Sequence, residues 1–400
     1  MADVYRETTS TGWFGRIGNS VIGALIGCVL ILAVVVGLFW NEGRTLHRAQ
    51  ALDETENATV DGSPTSVDLA KENKPIYLTG DATAAGTLRD GKFDIAAPNA
   101  LRLQRVVEMY QWKEKSHTET RRSLGGREEK ETVYEYIKEW NGSLNDSSNF
   151  KHSGYDNPRT FKIQPWTINA TDATLGAYKL NDVVLDRLAP IKAVTPVEAS
   201  TKTTLPESPA TLPTSRPGML QHYTLSGEWM YLGSQSSPVV GDERVKFLSL
   251  PAGPISLVAK QVGGTFAEYA AKGGNVLLVE TGSVSSHDLF QHDRSANAAL
   301  GWLIRGAGFV VLVIGFSMVL KPLSTVADVV PLFGSIVGFG TFLVAIAVSI
   351  PVWLLTVAVA WLFYRPVWGV GLIVLAVGAV VAFRMLRKPA SPPPLAGRMA

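Results

Sequence analysis

Residues 21–40 read VIGALIGCVLILAVVVGLFW, twenty positions without a charge, and run straight into Asn41-Glu42-Gly43-Arg44. At about 1.5 Å per residue a helix over this stretch covers about 30 Å, the thickness of a bilayer's hydrocarbon core. A secretory signal has a shorter apolar stretch and ends at a small-residue cleavage site. This one ends at the bulky Phe39-Trp40, so it reads as an uncleaved membrane anchor.

Working outward, only 18 % of the 400 residues are charged, against roughly 25 % in soluble domains. The deficit lies in residues 17–40 and 301–383. Residues 41–300 carry 28 Lys+Arg and 32 Asp+Glu, and the remainder carries 9 and 3. A mildly acidic domain with no basic stripe does not bind nucleic acid. The single cysteine, Cys28, sits inside the first apolar run, so neither disulfides nor cysteine-based zinc sites serve the large domain.

Three more spans are expected near the C-terminus, over 301–320 (with Arg305 inside), 336–361 and 367–383. The uncharged run around the third extends from Val329 to Tyr364, with Pro331 suggesting an interfacial lead-in and Pro351 a kink. Arg6, Arg16, Lys321, Arg384, Arg387, Lys388 and Arg398 flank the spans on one side. Apart from the large domain, only Arg365 lies on the other.

The positive-inside rule then gives the whole organisation. A cytoplasmic N-terminus over 1–16 leads into transmembrane helix 1 over 17–40. A β-rich extracytoplasmic domain over 41–300 follows, then helix 2 over 301–320, a cytoplasmic or interfacial loop over 321–335, and helix 3 over 336–361. A short outer turn over 362–366 leads to helix 4 over 367–383 and a cytoplasmic tail over 384–400. The class is an α+β membrane protein with four transmembrane helices.

Within the large domain, alternation in Val106-Val107-Glu108-Met109-Tyr110-Gln111-Trp112 and from Tyr134 to Trp140 marks two strands. The charged, Gly-containing segment between them reads as the tip of a long hairpin. Further strands are expected over 245–250, 255–261 and 275–280, and a helix over 286–300 capped by Ser286. Thr195 to Pro217, rich in Pro, Ser and Thr, reads as an exposed loop. Tyr110, Trp112 and Trp140 read as core-facing aromatics, with a partner-binding surface as the alternative.

Several strings together resemble the transmembrane protein 43 (LUMA) family: Asn41-Glu42-Gly43-Arg44, Val107 to Trp112, Gly241-Asp242-Glu243-Arg244-Val245 and Trp361-Leu362-Phe363-Tyr364-Arg365-Pro366. The resemblance extends from Gly12 to about Lys388. It departs at the extreme N-terminus, the hairpin tip and the Pro-rich loop, where partner contacts could differ. It implies four spans, cytoplasmic termini and a large translocated domain. Animal members belong to the endoplasmic reticulum and inner nuclear membrane and are linked to emerin and lamins. Short loops, abundant Ala, Val and Gly and the lack of a retrieval tail point here to a bacterial cytoplasmic membrane. Sequons at Asn57, Asn141, Asn145 and Asn169 keep the luminal alternative open.

No catalytic, cofactor-binding or metal-binding residues are singled out. His287 and His292 are five apart and do not share a helix face as a zinc pair would. Glu128, Glu129 and Glu131 alternate with basic residues and read as a solvated hairpin tip. Nucleophile-elbow and phosphate-loop motifs are absent. The candidates are interaction residues: Glu42, Arg44, Arg305, Arg365, Gly23, Gly27, Tyr110, Trp112 and Trp140. Gly23-x3-Gly27 and Gly334-x3-Gly338 permit close helix approach.

Arg305 follows from length. The 15 uncharged residues after it, Gly306 to Leu320, cover only about 22 Å, so it is drawn inside the bilayer edge. Its partner is Glu42, Asp293 or a headgroup phosphate. The expected function is a non-enzymatic scaffold contacting membrane lipids, a second copy or an unidentified protein partner. A small-molecule or ion carrier and an enzyme with an unrecognised site in the large domain are the rivals. No cofactor is expected.

Overall fold

The computed structural model describes residues 3–123, 126–194 and 223–365. The chain forms two units: residues 1–12 with 47–297, and residues 13–46 with 298–400. The Pro-rich loop from Thr195 to Pro217, the fourth expected span over 367–383 and the tail over 384–400 lie outside the described residues.

The principal strands of the large unit are β1 (Asp3–Thr11), β2 (Pro75–Thr83), β3 (Ala100–Arg122), β4 (Glu128–Asn141), β5 (Thr224–Ser226), β6 (Trp229–Tyr231), β7 (Glu243–Pro251) and β8 (Gly253–Val262). The first sheet runs β1-β4-β3-β7-β6-β5, with Trp166–Asn169 added to β3 and Lys192–Val194 to β7. β3 and β4 make the long hairpin, pairing from Met109 with Asn141 to Arg122 with Glu128. In the second sheet β2 and β8 pair antiparallel, Leu78 opposite Leu257.

The pleat of β3 turns its odd positions inward. Leu101, Leu103, Val107, Met109 and Gln111 are buried, with Leu103 and Val107 packing on Val245 and Phe247 of β7. Tyr110, Trp112 and Trp140 therefore lie half-buried on the opposite face, which corrects the expectation that they line the core. Both faces of this strand contain large apolar residues, and alternation separates faces without saying which one is covered. Tyr136 differs and is wholly buried.

β8 is buried on both faces from Ile255 to Ala259. Ile255, Leu257 and Ala259 join a core with Ile76, Leu78, Tyr178 and Phe266. Val258 points the other way, to Ala51, Leu52, Leu289 and Phe290. A strand covered on both sides reads as a near-continuous apolar run, here interrupted by Ser256, whose hydroxyl donates to the Gly282 carbonyl.

Residues 3–11, within the expected N-terminal segment over 1–16, are paired to a sheet of the large unit. They form β1, the edge strand of the first sheet, with Asp3 opposite Tyr136 and Thr11 opposite Glu128. Tyr5 anchors the strand by stacking on His152 at 4.3 Å, and its hydroxyl lies 2.9 Å from that of Tyr155. Arg6 adds an ion pair to Glu131. An unpaired row of backbone groups along β4 is what this segment satisfies.

Three helices among the described residues are long and apolar enough to cross a membrane: α1 (Trp13–Ala58), α2 (Ser286–Ala327) and α3 (Pro331–Tyr364). α1 and α2 run well beyond the expected spans 17–40 and 301–320. The expected loop over 321–335 shrinks to a turn, since α2 continues through Pro322 and α3 begins at Pro331. Proline at a first helical position forfeits no hydrogen bond, so Pro331 starts a helix rather than a surface lead-in. The cap of α2 is Ser285, not Ser286: its Oγ accepts from the Asp288 amide at 3.1 Å and donates to the Asp288 carboxylate at 2.6 Å.

Candidate functional site

α1 carries no charged residue between Arg16 and Glu42. Each of these two is met by an opposite charge. Arg305 of α2 donates from Nε to Glu42 Oε1 at 2.6 Å and from its terminal nitrogen to Oε2 at 2.7 Å. Trp361 of α3 adds its indole N–H to the same Oε2 at 2.9 Å. Trp353 donates to the Arg305 carbonyl at 3.0 Å, and the Arg305 guanidinium lies 4.8 Å from the Trp302 ring centroid. Glu42 is buried and Arg305 largely so, their side chains 4 % and 11 % exposed. Burying an ion pair is costly unless geometry is good and remaining lone pairs are satisfied, and here both carboxylate oxygens are.

At the other end, Arg16 pairs with Asp328, both buried, and Trp13 donates its indole N–H to the Thr325 carbonyl at 3.0 Å. Glu42 follows Arg16 by 26 positions, about 39 Å along the helix. The two pairs are therefore separated by somewhat more than the roughly 30 Å hydrocarbon thickness. Each pair sits where a charge can reach an interfacial layer.

Between the locks α1 and α2 lie antiparallel and touch through glycines. A Cβ on Gly27 would come within 2.7 Å of the Gly315 carbonyl, one on Gly308 within 2.6 Å of Leu38, and one on Gly301 within 3.2 Å of Thr45. Gly301, Gly308 and Gly315 recur every seven residues and keep to one face of α2. Among the described residues nothing lies within 4 Å of a Cβ on Gly23, so of the Gly23 and Gly27 pair it is Gly27 that meets α2. A third close approach is Gly43 against Tyr364, where a Cβ would stand 2.5 Å from the ring.

Arg44 donates to Asn41 Oδ1 and Thr45 Oγ1, both at 3.2 Å. Arg365 ends α3 with its guanidinium 5.8 Å from the Trp361 ring centroid. Glu42, Arg44, Arg305, Arg365 and Gly27 thus gather in the helical unit, whereas Tyr110, Trp112 and Trp140 do not.

Those three belong to the half-exposed face of the large unit. Tyr110 and Trp140 are 5.3 Å apart. Arg244 lies 4.7 Å from Trp140 and 4.2 Å from Trp229, and is held by Glu108. Trp112 packs edge-on against Tyr155 and takes Lys138 over its ring at 4.4 Å. In the same unit His292 is 3.0 Å from Glu280 and His287 is 3.5 Å from Glu56. No group of three potential metal ligands occurs among the described residues.

Buried phenols fasten β1. Tyr136 stacks on Tyr155 at 3.8 Å and donates to Glu114, while Tyr155 donates to Asp3 at 3.0 Å. Burial, then the Glu114 carboxylate, pushes the Tyr136 phenol up to about 12. Burial also raises Tyr155, with Tyr5 and Asp3 adding to it.

Reading the sequence missed Trp361, the Arg16–Asp328 pair and the glycine seam of α2. Two signals were present: Asp328 is the one acidic residue in 298–400, and the three glycines keep a seven-residue spacing.

Long apolar helices on either side of a β-rich insertion, with charges matched in pairs inside the helical unit, define an integral multi-pass membrane protein. The sequence model of transmembrane protein 43 matches residues 109–366, and the chain belongs to that family. It is 30 % identical to rat transmembrane protein 43 over 389 residues, covering 93 % of this chain and 92 % of the relative. The human protein is 28 % identical over 397 residues, 95 % and 94 % of the two chains. A fruit-fly homolog is 27 % identical over 373 residues, 90 % and 93 %. These relatives are animal proteins, so the expected bacterial cytoplasmic membrane finds no support in them. No solved structure matches.

Proposed function

We propose that the protein is a non-enzymatic membrane scaffold, in which a clamped set of spanning helices carries a β-rich domain that binds a protein partner or a second copy. The observation that supports this reading is the use of both carboxylates of the helical unit, Glu42 and Asp328, to fasten α1 to α2 and its following turn. A carrier or channel needs ionisable groups that line a path and exchange partners. Here each acid is committed to a guanidinium, which favours a permanent frame.

The test is purification of the full chain in native lipid. Identification of what accompanies it is combined with flux measurements after reconstitution into vesicles. A protein partner retained in stoichiometric amount, with vesicles staying tight, is the expected result. Solute or ion flux that disappears in Arg305→Gln would replace the scaffold with a carrier.

A further inference from the structure

We propose that Asn57 is the N-glycosylation acceptor of this chain, the one among its four sequons that the fold leaves open to an oligosaccharide-transferring enzyme. The proposal rests on the large unit facing the lumen of a eukaryotic endomembrane, the placement its animal relatives support. It is independent of the scaffold role.

The chemistry sets the requirement. In this transfer the asparagine Nδ2 displaces a lipid diphosphate from the anomeric carbon of a polyprenyl-diphosphate oligosaccharide. An N–C bond forms, the C–O bond to the diphosphate breaks, one amide proton is released, and the diphosphate leaves with the bonding pair. A hydroxyl two residues on completes the recognised pattern. The amide must therefore give up a hydrogen, and the bulky, hydrated product must stand in solvent.

Three of the four amides are committed within the fold. Asn169 Nδ2 donates to two carboxylates, Asp182 and Asp186, each at 3.0 Å, and its Oδ1 is buried. Asn145 donates from Nδ2 to the Trp112 carbonyl at 3.1 Å, while its backbone N–H and C=O are taken by the side chains of Gln111 and Asn157. Asn141 donates to Asn145 Oδ1 at 3.2 Å and accepts the Ser143 amide at 3.0 Å, which closes the turn after β4. A sugar on any of these three displaces bonds that hold the chain in place.

Asn57 differs in each respect. It lies in the last turn of α1, where Ala51, Leu52 and Thr55 turn inward and leave Asp53 and Asn57, four residues apart, on the exposed side. Among the described residues its side chain makes no hydrogen bond. The sequon also straddles a helix end: Ala58 is the final helical residue and Thr59 is already extended, with φ −67° and ψ 133°. Terminal turns fray at little cost, so Asn57-Ala58-Thr59 enters an enzyme's groove without disturbing the core. Thr59 Oγ1 donates to the Thr55 carbonyl at 2.7 Å, a bond that the same fraying releases.

The experiment translates the full chain into endoplasmic-reticulum microsomes and follows electrophoretic mobility before and after an endoglycosidase. Wild type should show one glycan step, removed by the enzyme. Asn57→Gln and Thr59→Ala should abolish the step, and Thr59→Ser should keep it by retaining the hydroxyl. Asn141→Gln, Asn145→Gln and Asn169→Gln should each leave it in place. More than one step in wild type, a step that persists in Asn57→Gln, or its loss in any of the other three glutamine variants overturns the assignment. Ser234→Asn, which creates a sequon in the exposed loop after Tyr231, reports on placement alone. If that variant is modified and wild type is not, Asn57 is not an acceptor. If neither is modified, the large unit is not luminal and the proposal falls with that placement.

Discussion

Glu42 and Arg305, 263 positions apart, hold each other through two parallel hydrogen bonds of 2.6 and 2.7 Å. Glu42 leaves the first span as Arg305 enters the second, so the pair fixes rotation and depth of both helices at once. Removing one member leaves the other buried and unpaired, a loss of about 3–5 kcal/mol. Arg305→Glu should lower the yield of folded protein sharply, and adding Glu42→Arg should restore much of it. A double variant no better than Arg305→Glu would show that the pair contributes little.

Trp361 supplies the third hydrogen bond to Glu42. Trp361→Phe keeps the ring and deletes the donor, so a loss of about 1 kcal/mol is expected, small beside the charge reversal. Thermal unfolding in detergent measures both; equal losses would make the indole as important as the guanidinium.

The glycines of α1 should behave oppositely. Gly27→Leu drives a side chain into the backbone of Gly315 and should separate α1 from α2, whereas Gly23→Leu meets nothing within 4 Å among the described residues and should change stability by no more than about 0.5 kcal/mol. Crosslinking between the helices and melting temperature report on both. Destabilisation by Gly23→Leu equal to that by Gly27→Leu would mean that the α1–α2 contact is not the one described.

The edge strand β1 makes a topological demand. A single crossing by α1 and the distribution of basic residues place residues 3–11 across the membrane from the large domain, while the strand pairing places them on its sheet. Thr8 and Glu131 are register partners. In a Cys28→Ser background, Thr8→Cys with Glu131→Cys should form a disulfide on mild oxidation. Failure to crosslink, with Thr8→Cys labelled only from the Lys321 side, would reinstate the charge-based assignment.

Raised phenol pKa values set an alkaline limit. An acid whose folded pKa exceeds its unfolded value of about 10 stabilises the fold below that pH and loses the contribution as pH climbs through the folded value. For Tyr136 the window is from about 10 to about 12. Tyrosinate absorbance and near-ultraviolet dichroism should change together there. Tyr136→Phe should remove the part of the transition due to this phenol, and an identical transition in that variant would assign it elsewhere.

Much of this architecture is local information. The uncharged run at 21–40, the alternation from Val106 to Trp112, the charged hairpin segment and the apolar run in β8 each specify an element through residue type and spacing. Even the depth of Arg305 followed from arithmetic, because the apolar run after it is too short for the hydrocarbon core. Partner identity did not follow: Glu42 was the best placed carboxylate, but Asp293 and a headgroup phosphate were also compatible with the length.

By itself, the sequence determined that α1, α2 and α3 belong in a membrane and that a β-rich domain lies between the first two, since solvent preference is a property of composition. The tertiary structure alone decided that Gly27 and not Gly23 meets α2, that Trp361 completes the Glu42 site, that Asp328 answers Arg16, and that Tyr110 and Trp112 face away from the core. Each of these depends on the rotation of a helix about its axis or on which face of a strand is covered. Hydropathy is nearly uniform around an apolar helix and similar on both faces of β3, so only packing against a specific neighbour distinguishes one side from the other.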